Sequence, residues 1–168
     1  MRARIELAEI DYQLGRHREV VELTSEALPW LRENRRHGEL AETHYLRAVA
    51  YNRLGERGPA SEDFEAVMSF GSTGKHALRA SALVWMSAWE QDDASALAML
   101  HGAREILLAH PAEVRRHVFV WQHLALEQAR RGAPQRADES LAEAEAIAAG
   151  LGDAELLAKI DEQRGQLP

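Results

Sequence analysis

Apolar and polar positions recur along this chain with the period of a helix from one end to the other. Residues from about 2 to 14 place Ile5, Leu7, Ala8, Tyr12 and Leu14 at helical spacings, and the run stops at Gly15. Side chains three and four apart share one helix face. A glycine just past such a run supplies the left-handed residue that ends a helix with little strain. The next run carries Val20, Val21, Leu23, Leu28 and Leu31 and fades at Asn34-Arg35-Arg36-His37-Gly38; Pro29 lies inside it and is expected to kink or split it. A second pair of runs covers about 39–54 and 59–70, a third about 75–91 and 94–109, and a fourth about 111–131 and 134–149. Gly71-Ser72-Thr73-Gly74 forms a turn between units, and Gly150-Leu151-Gly152 closes the fourth. Asp92-Asp93 and Asp153 suit helix caps, and Pro59 and Pro134 suit the first helical position, where no N–H is needed.

The glycines report a repeat. Gly15 and Gly55 are 40 residues apart, and Gly55 and Gly132 are 77 apart, room for one more unit. Gly55 and Gly132 share their surroundings: Ala48 and Ala125 seven before, Ala60 and Ala137 five after, Phe64 and Leu141 nine after. A fixed period of this size predicts a stacked helical array in which no helix pair buries its apolar face alone. The small residues let helices approach closely, and the large ones fill the adjoining gaps. The expectation is an all-α chain forming one repeat domain over 1–168. Its units are approximately 1–37, 38–73, 74–110 and 111–150, with a terminal helix over 153–165.

This small–large–Gly–small–large–small pattern resembles the tetratricopeptide repeat. It is clearest in the second unit (Ala48, Tyr51, Gly55, Ala60, Phe64) and the fourth (Trp121, Leu124, Ala125, Gly132, Ala137, Leu141, Ala144). In the third, Leu83, Ala96, Leu100 and Ala103 fit but Gln91 replaces the glycine; in the first, Asp11 and Thr24 stand where larger apolar residues are usual. The period near 39, rather than roughly 34, is similar to the longer-helix repeats of MalT-like bacterial regulators. The resemblance implies a right-handed superhelical solenoid of about four antiparallel helix pairs plus a C-terminal helix. It further implies that the first helix of each pair lines a concave surface. Carried over by position, that surface contains Tyr12, Gln13, Tyr45, Asn52, Arg53, Trp85, Trp89, Gln122 and Arg130. The chaperone-tail clamp of some family members is not implied, because Ile5, Glu9 and Tyr45 occupy three of its positions.

Composition narrows the function classes. The net charge of −7 argues against direct nucleic-acid binding, which is driven by cationic counterion release. Without cysteine there is no disulfide, thiolate nucleophile or thiolate zinc site; a reducing cytoplasm fits. No apolar stretch approaches the roughly 20 residues of a membrane span, and Met1-Arg2-Ala3-Arg4-Ile5-Glu6 lacks a signal-peptide apolar region. Eighteen of the 20 basic residues are Arg, which together with the alanine content suggests a GC-rich bacterial coding sequence.

Candidate chemistry is sparse. Phe70-Gly71-Ser72-Thr73-Gly74-Lys75 fails as a phosphate loop: Ser69 stands where the first Gly belongs, and His76 where Ser or Thr would bind Mg²⁺. The eight histidines show no paired zinc spacing. Glu62-Asp63, Asp92-Asp93 and Asp138-Glu139 suit the starts of second helices, where the helix dipole favours negative charge. Arg35-Arg36, Arg115-Arg116 and Arg130-Arg131 suit solvated faces or carboxylate pairing. Trp85 and Trp89 are expected one turn apart on one helix face. No catalytic constellation, cofactor site or metal site is expected.

The sequence therefore points to a noncatalytic scaffold that binds a protein or peptide on its concave face, with uncapped terminal repeats that leave room for a homodimer. The alternative is an effector-sensing segment of a larger bacterial transcription regulator.

Overall fold

A computed structural model describes residues 2–70, 75–110 and 114–167. Regular structure among them is entirely α-helical: α1 (Arg2–Gln13), α2 (His17–Glu33), α3 (His37–Arg53), α4 (Arg57–Ser69), α5 (His76–Ser87), α6 (Asp93–Ala109), α7 (Val114–Arg130), α8 (Pro134–Leu151) and α9 (Ala154–Gln166). No helix among these residues is long and apolar enough to cross a membrane. The turn at Gly71-Ser72-Thr73-Gly74 lies outside the described residues. The chain divides into two compact units, Met1–Ala82 and Leu83–Pro168, with the division falling inside α5.

Five helix ends share one device. Gly15, Gly55, Gly132 and Gly152 have φ between 65° and 77°, and Arg35 has φ 53°. At each, the left-handed residue donates its N–H to the carbonyl three back, and the next residue donates to the carbonyl five before itself: Gly55 to Asn52 and Glu56 to Tyr51, Gly132 to Ala129 and Ala133 to Gln128. This pair of hydrogen bonds satisfies carbonyls that a helix end otherwise leaves open. The turn at Arg35 escapes a glycine search. Its bonds, Arg35 to Arg32 and Arg36 to Leu31, are the same as the others.

Two local expectations are corrected, and the kink or split expected at Pro29 is narrowed. Pro29 lies within α2 without splitting it: its missing N–H falls in the last turns of the helix and its ring is solvent-exposed, where water can satisfy the freed carbonyl. Pro59 is the third residue of α4, not the first, still within the turn whose N–H groups have no intrahelical partner. Helix α5 ends at Ser87, so Trp89 lies beyond it and does not share a helix face with Trp85. The cause is a competing set of acceptors and donors. The Ser87 and Glu90 carbonyls accept from Arg131 Nη2 at 2.8 and 2.5 Å, and Glu90 Oε1 accepts the Gln91 and Asp92 N–H groups. Asp92 then caps α6, accepting from Ser95 N–H at 2.8 Å, and Asp153 caps α9 through Leu156 N–H at 3.1 Å.

In the first unit α1, α2, α3 and α4 pack in sequence, and in the second α6, α7, α8 and α9 do the same. The repeat alanines do their expected work: Ala8, Ala27, Ala48, Ala60, Ala125, Ala137 and Ala144 are all completely buried, as are Phe64 and Leu141.

Candidate functional site

Two clefts open at the same register of the repeat, one in each unit. In the first unit Arg2, Ile5, Glu6 and Glu9 of α1 face Glu39 and Glu42 of α3 across about 340 Å³. In the second, Gln122, His123 and Leu126 of α7 face Gln163 and Gln166 of α9 and Leu167 just beyond it, across about 320 Å³. The interval from Gly15 to Gly132 carries Ile5, Glu6 and Glu9 onto Gln122, His123 and Leu126, so each triplet occupies the same face of its helix.

The acidic cleft is internally compensated. Glu6 pairs with Arg2 at 3.0 Å and Glu42 with Lys75 at 2.7 Å, while Arg36 binds Glu39. Its polar groups are largely spoken for.

The α7/α9 cleft is lined by no formal charge on its carboxamide and apolar residues. Gln163 Nε2 donates to the Gln122 carbonyl at 2.7 Å and ties α9 to α7 along one edge. The Gln122 side-chain amide, half-buried, makes no hydrogen bond with another described residue. His123 Nδ1 lies 2.7 Å from the Phe119 carbonyl. A carbonyl only accepts, so Nδ1 is the donor of this bond, and Nε2 is left outside it. The Trp85 ring packs against the imidazole at 5.6 Å between centroids and 45° between planes. One turn before His123, Phe119 is half exposed. Leu126 and Leu167 complete an apolar lining around a few convergent polar groups, the composition typical of a ligand cleft.

Of the residues expected to line a binding surface, the structure brings Gln122 and, through His123, Trp85 to this cleft. The others lie elsewhere. Tyr12 packs on the Ala8, Val20, Val21 and Ala50 cluster, 5.4 Å from the His17 ring. Gln13 and Arg53 are exposed at the last residues of α1 and α3, and Asn52 is half-buried with its carbonyl closing the Gly55 turn. Tyr45 packs on Phe64 at 6.0 Å, with its hydroxyl 2.6 Å from Ser81 Oγ. Trp89 is half-buried in the turn after α5, and Arg130 pairs with Glu127 at 2.6 Å. His123, Leu126, Gln163, Gln166 and Leu167 were not evident from sequence. The available signal was the register of Gln122, since the position four later shares its helix face.

A second polar constellation sits in the interior of the first unit. Asp63 is buried, with Oδ1 2.7 Å from His44 Nδ1 and 2.8 Å from Arg47 Nη2, and Oδ2 2.7 Å from Arg47 Nε. Arg47 Nη1 donates onward to Ser25 Oγ at 3.0 Å, and the guanidinium lies 5.8 Å over the Tyr51 ring. Burial by itself would raise the Asp63 carboxyl, but the bonds from Arg47 and His44 hold it below the usual carboxylate range. Asp63 is thus a buried ionic staple across α2, α3 and α4, and not the helix-start charge its sequence position suggests.

No protein-family model matches the chain, and no curated protein matches it. The clefts therefore have to be interpreted from their own chemistry.

Proposed function

We propose that this protein is a noncatalytic binding scaffold for a peptide or protein segment, and that the α7/α9 cleft is where the segment docks. In this proposal the helix pairs stack as a right-handed tetratricopeptide-like solenoid, and the first helix of each pair faces the ligand. One observation carries it. At a shared register of the repeat, the second unit presents a cleft lined by no carboxylate, Lys or Arg, with an unengaged Gln122 amide and the His123 imidazole over apolar Leu126 and Leu167. A preformed cleft of this kind loses little conformational freedom on binding.

The test is selection of random displayed peptides on the full chain. Enriched peptides should carry an apolar anchor and little charge. Their affinity should fall at least about tenfold for Leu126→Arg and stay unchanged for Glu9→Arg, the same register in the first unit. Peptides that bind Leu126→Arg as tightly as the natural chain would remove the proposal.

The cleft volume of about 320 Å³ also falls at the small-molecule end of ligand pockets. It favours the second reading, an effector-sensing segment of a bacterial regulator. Small-fragment binding that shifts the Gln122 and His123 resonances, with no peptide enriched, would decide for it.

A further inference from the structure

A smaller cleft of about 180 Å³ lies on the other side of α7, where His101 and Arg104 of α6, Gln128 of α7, and Arg136 and Glu139 of α8 converge. His101 and Arg104, like Arg136 and Glu139, are three residues apart, so each pair projects from one face of its helix. Gln128 is 2% exposed and its Oε1 accepts the buried Ser140 hydroxyl at 2.7 Å. That leaves an amide nitrogen with two N–H groups and no hydrogen-bond acceptor among the described residues. That nitrogen is not fully enclosed and opens onto the cleft.

The cations are similarly underused. Arg104 makes no hydrogen bond with another described residue, and among these residues its nearest carboxylates, Glu105 and Glu139, stand 3.7 and 4.0 Å away, well outside the roughly 2.7–2.9 Å of a charge-assisted bond. Arg136 has no ion pair or hydrogen bond with another described residue. It sits in the first turn of α8, where the helix dipole adds positive potential. Glu139 is the one carboxylate of the lining, and its side chain is 63% exposed and able to turn to solvent.

We propose that His101, Arg104, Gln128 and Arg136 form a binding site for a compact oxyanion of the phosphate class, either free phosphate or the head of a phosphate monoester. Donors from three helices suit the divergent oxygens of a tetrahedral anion. A carboxylate would be satisfied by one arginine fork alone. The cleft is large enough for one such group and too small for the nucleoside or sugar it might be attached to, which would remain outside. The site is separate from the α7/α9 cleft and does not depend on the scaffold proposal.

The experiment is a titration of the full chain at constant ionic strength with inorganic phosphate, methyl phosphate and acetate, followed by the side-chain resonances of Gln128 and the arginines. Phosphate should give a saturable shift of the Gln128 amide pair. Affinity should fall at least tenfold in Arg104→Gln and in Arg136→Gln, each with an unchanged melting temperature, and stay unchanged in Arg130→Gln. Gln128→Glu, checked for folding, should abolish the site by placing an oxygen where the donor stood. Methyl phosphate binding as well as phosphate identifies a monoester head as an acceptable ligand; rejection of methyl phosphate identifies the free anion. Absence of saturation, equal affinity for acetate, or binding that survives both arginine substitutions overturns the site.

Discussion

The two units place opposite chemistry on the same frame. Glu6 and Glu9 of α1 stand where His123 and Leu126 stand on α7, and the first unit's cleft is accordingly charged where the second's is not. The contrast continues inward. Seventy-seven residues separate Arg47 from Leu124, His44 from Trp121 and Asp63 from Ser140. The first unit buries an ionic staple there; the second buries Trp121, Leu124 and the neutral Ser140–Gln128 pair. Burying paired charges brings little net stability over a well-packed apolar alternative, because desolvation offsets the attraction. What the ionic version adds is dependence on both partners and on pH. The difference teaches that the repeat fixes which positions are buried but leaves open whether they are filled by charge or by hydrocarbon.

The largest effect should come from breaking the staple. Asp63→Ser strands a half-buried Arg47 guanidinium and should cost about 3–5 kcal/mol. Ser140→Ala, at the same register in the second unit, removes one neutral bond and should cost about 1 kcal/mol. Arg47→Leu combined with Asp63→Ser copies the second unit's solution and should cost clearly less than the sum of the two single changes. Urea denaturation of the four variants measures the coupling. Strict additivity would mean that the charges do not act as a pair.

Acid should separate the units next. The Asp63 carboxyl is held below its unfolded value of about 3.9, so the unfolded chain binds more protons in that range. Its contribution is complete above about pH 4 and is lost as pH falls through the folded value. Amide exchange followed from pH 6 to pH 3 should therefore rise earlier in α2, α3 and α4 than in α7 and α8. Asp63→Asn should flatten that difference. Simultaneous loss of protection in both units would break the comparison.

These contrasts also show how far the sequence could be followed. The left-handed turns at Gly15, Gly55 and Gly132, the buried alanines around them and the caps at Asp92 and Asp153 were legible because each is a local signal with a local cause. The staple was not. His44, Arg47 and Asp63 sit on two helices, and only their packed register shows that Asp63 points inward and not along the start of α4. The cleft was half legible: Gln122 follows from the period, whereas Gln163 and Gln166 lie on α9, and Leu167 just beyond it, and α9 carries no repeat glycine to align it. Trp89 was misplaced because Arg131 engages the carbonyls of Ser87 and Glu90 from 44 and 41 residues away, an interaction without a local signature.

A smaller test concerns Tyr45, whose register position is that of Gln122. Its hydroxyl contacts buried Ser81 and its ring contacts Phe64, so it holds α3 and α5 of the first unit together, whereas Gln122 keeps an unengaged amide. Tyr45→Phe should cost about 1 kcal/mol through the lost bond, and Gln122→Leu should change stability by less. Equal costs would mean that Gln122 also has a structural role and that the α7/α9 cleft is not poised for a ligand.

The smallest effect, and the one of opposite sign, lies in the turn between α2 and α3. Gly132 and Gly152 in the second unit reach positive φ without a Cβ, as do Gly15 and Gly55 in the first, but Arg35 holds φ 53° with a full side chain. A left-handed non-glycine residue carries about 1 kcal/mol or more of steric strain. Glycine removes that strain, while making the unfolded chain more flexible, which offsets part of the gain. The side chain is exposed and the turn's two bonds are made by backbone, so nothing else is lost. Arg35→Gly should therefore stabilise the first unit by about 0.5–1 kcal/mol, seen as a higher urea midpoint with an unchanged slope. Gly55→Ala should move the midpoint the other way. A destabilised Arg35→Gly would show that the Arg35 side chain makes a contribution larger than the strain it carries, and the five turns would no longer be energetically one device.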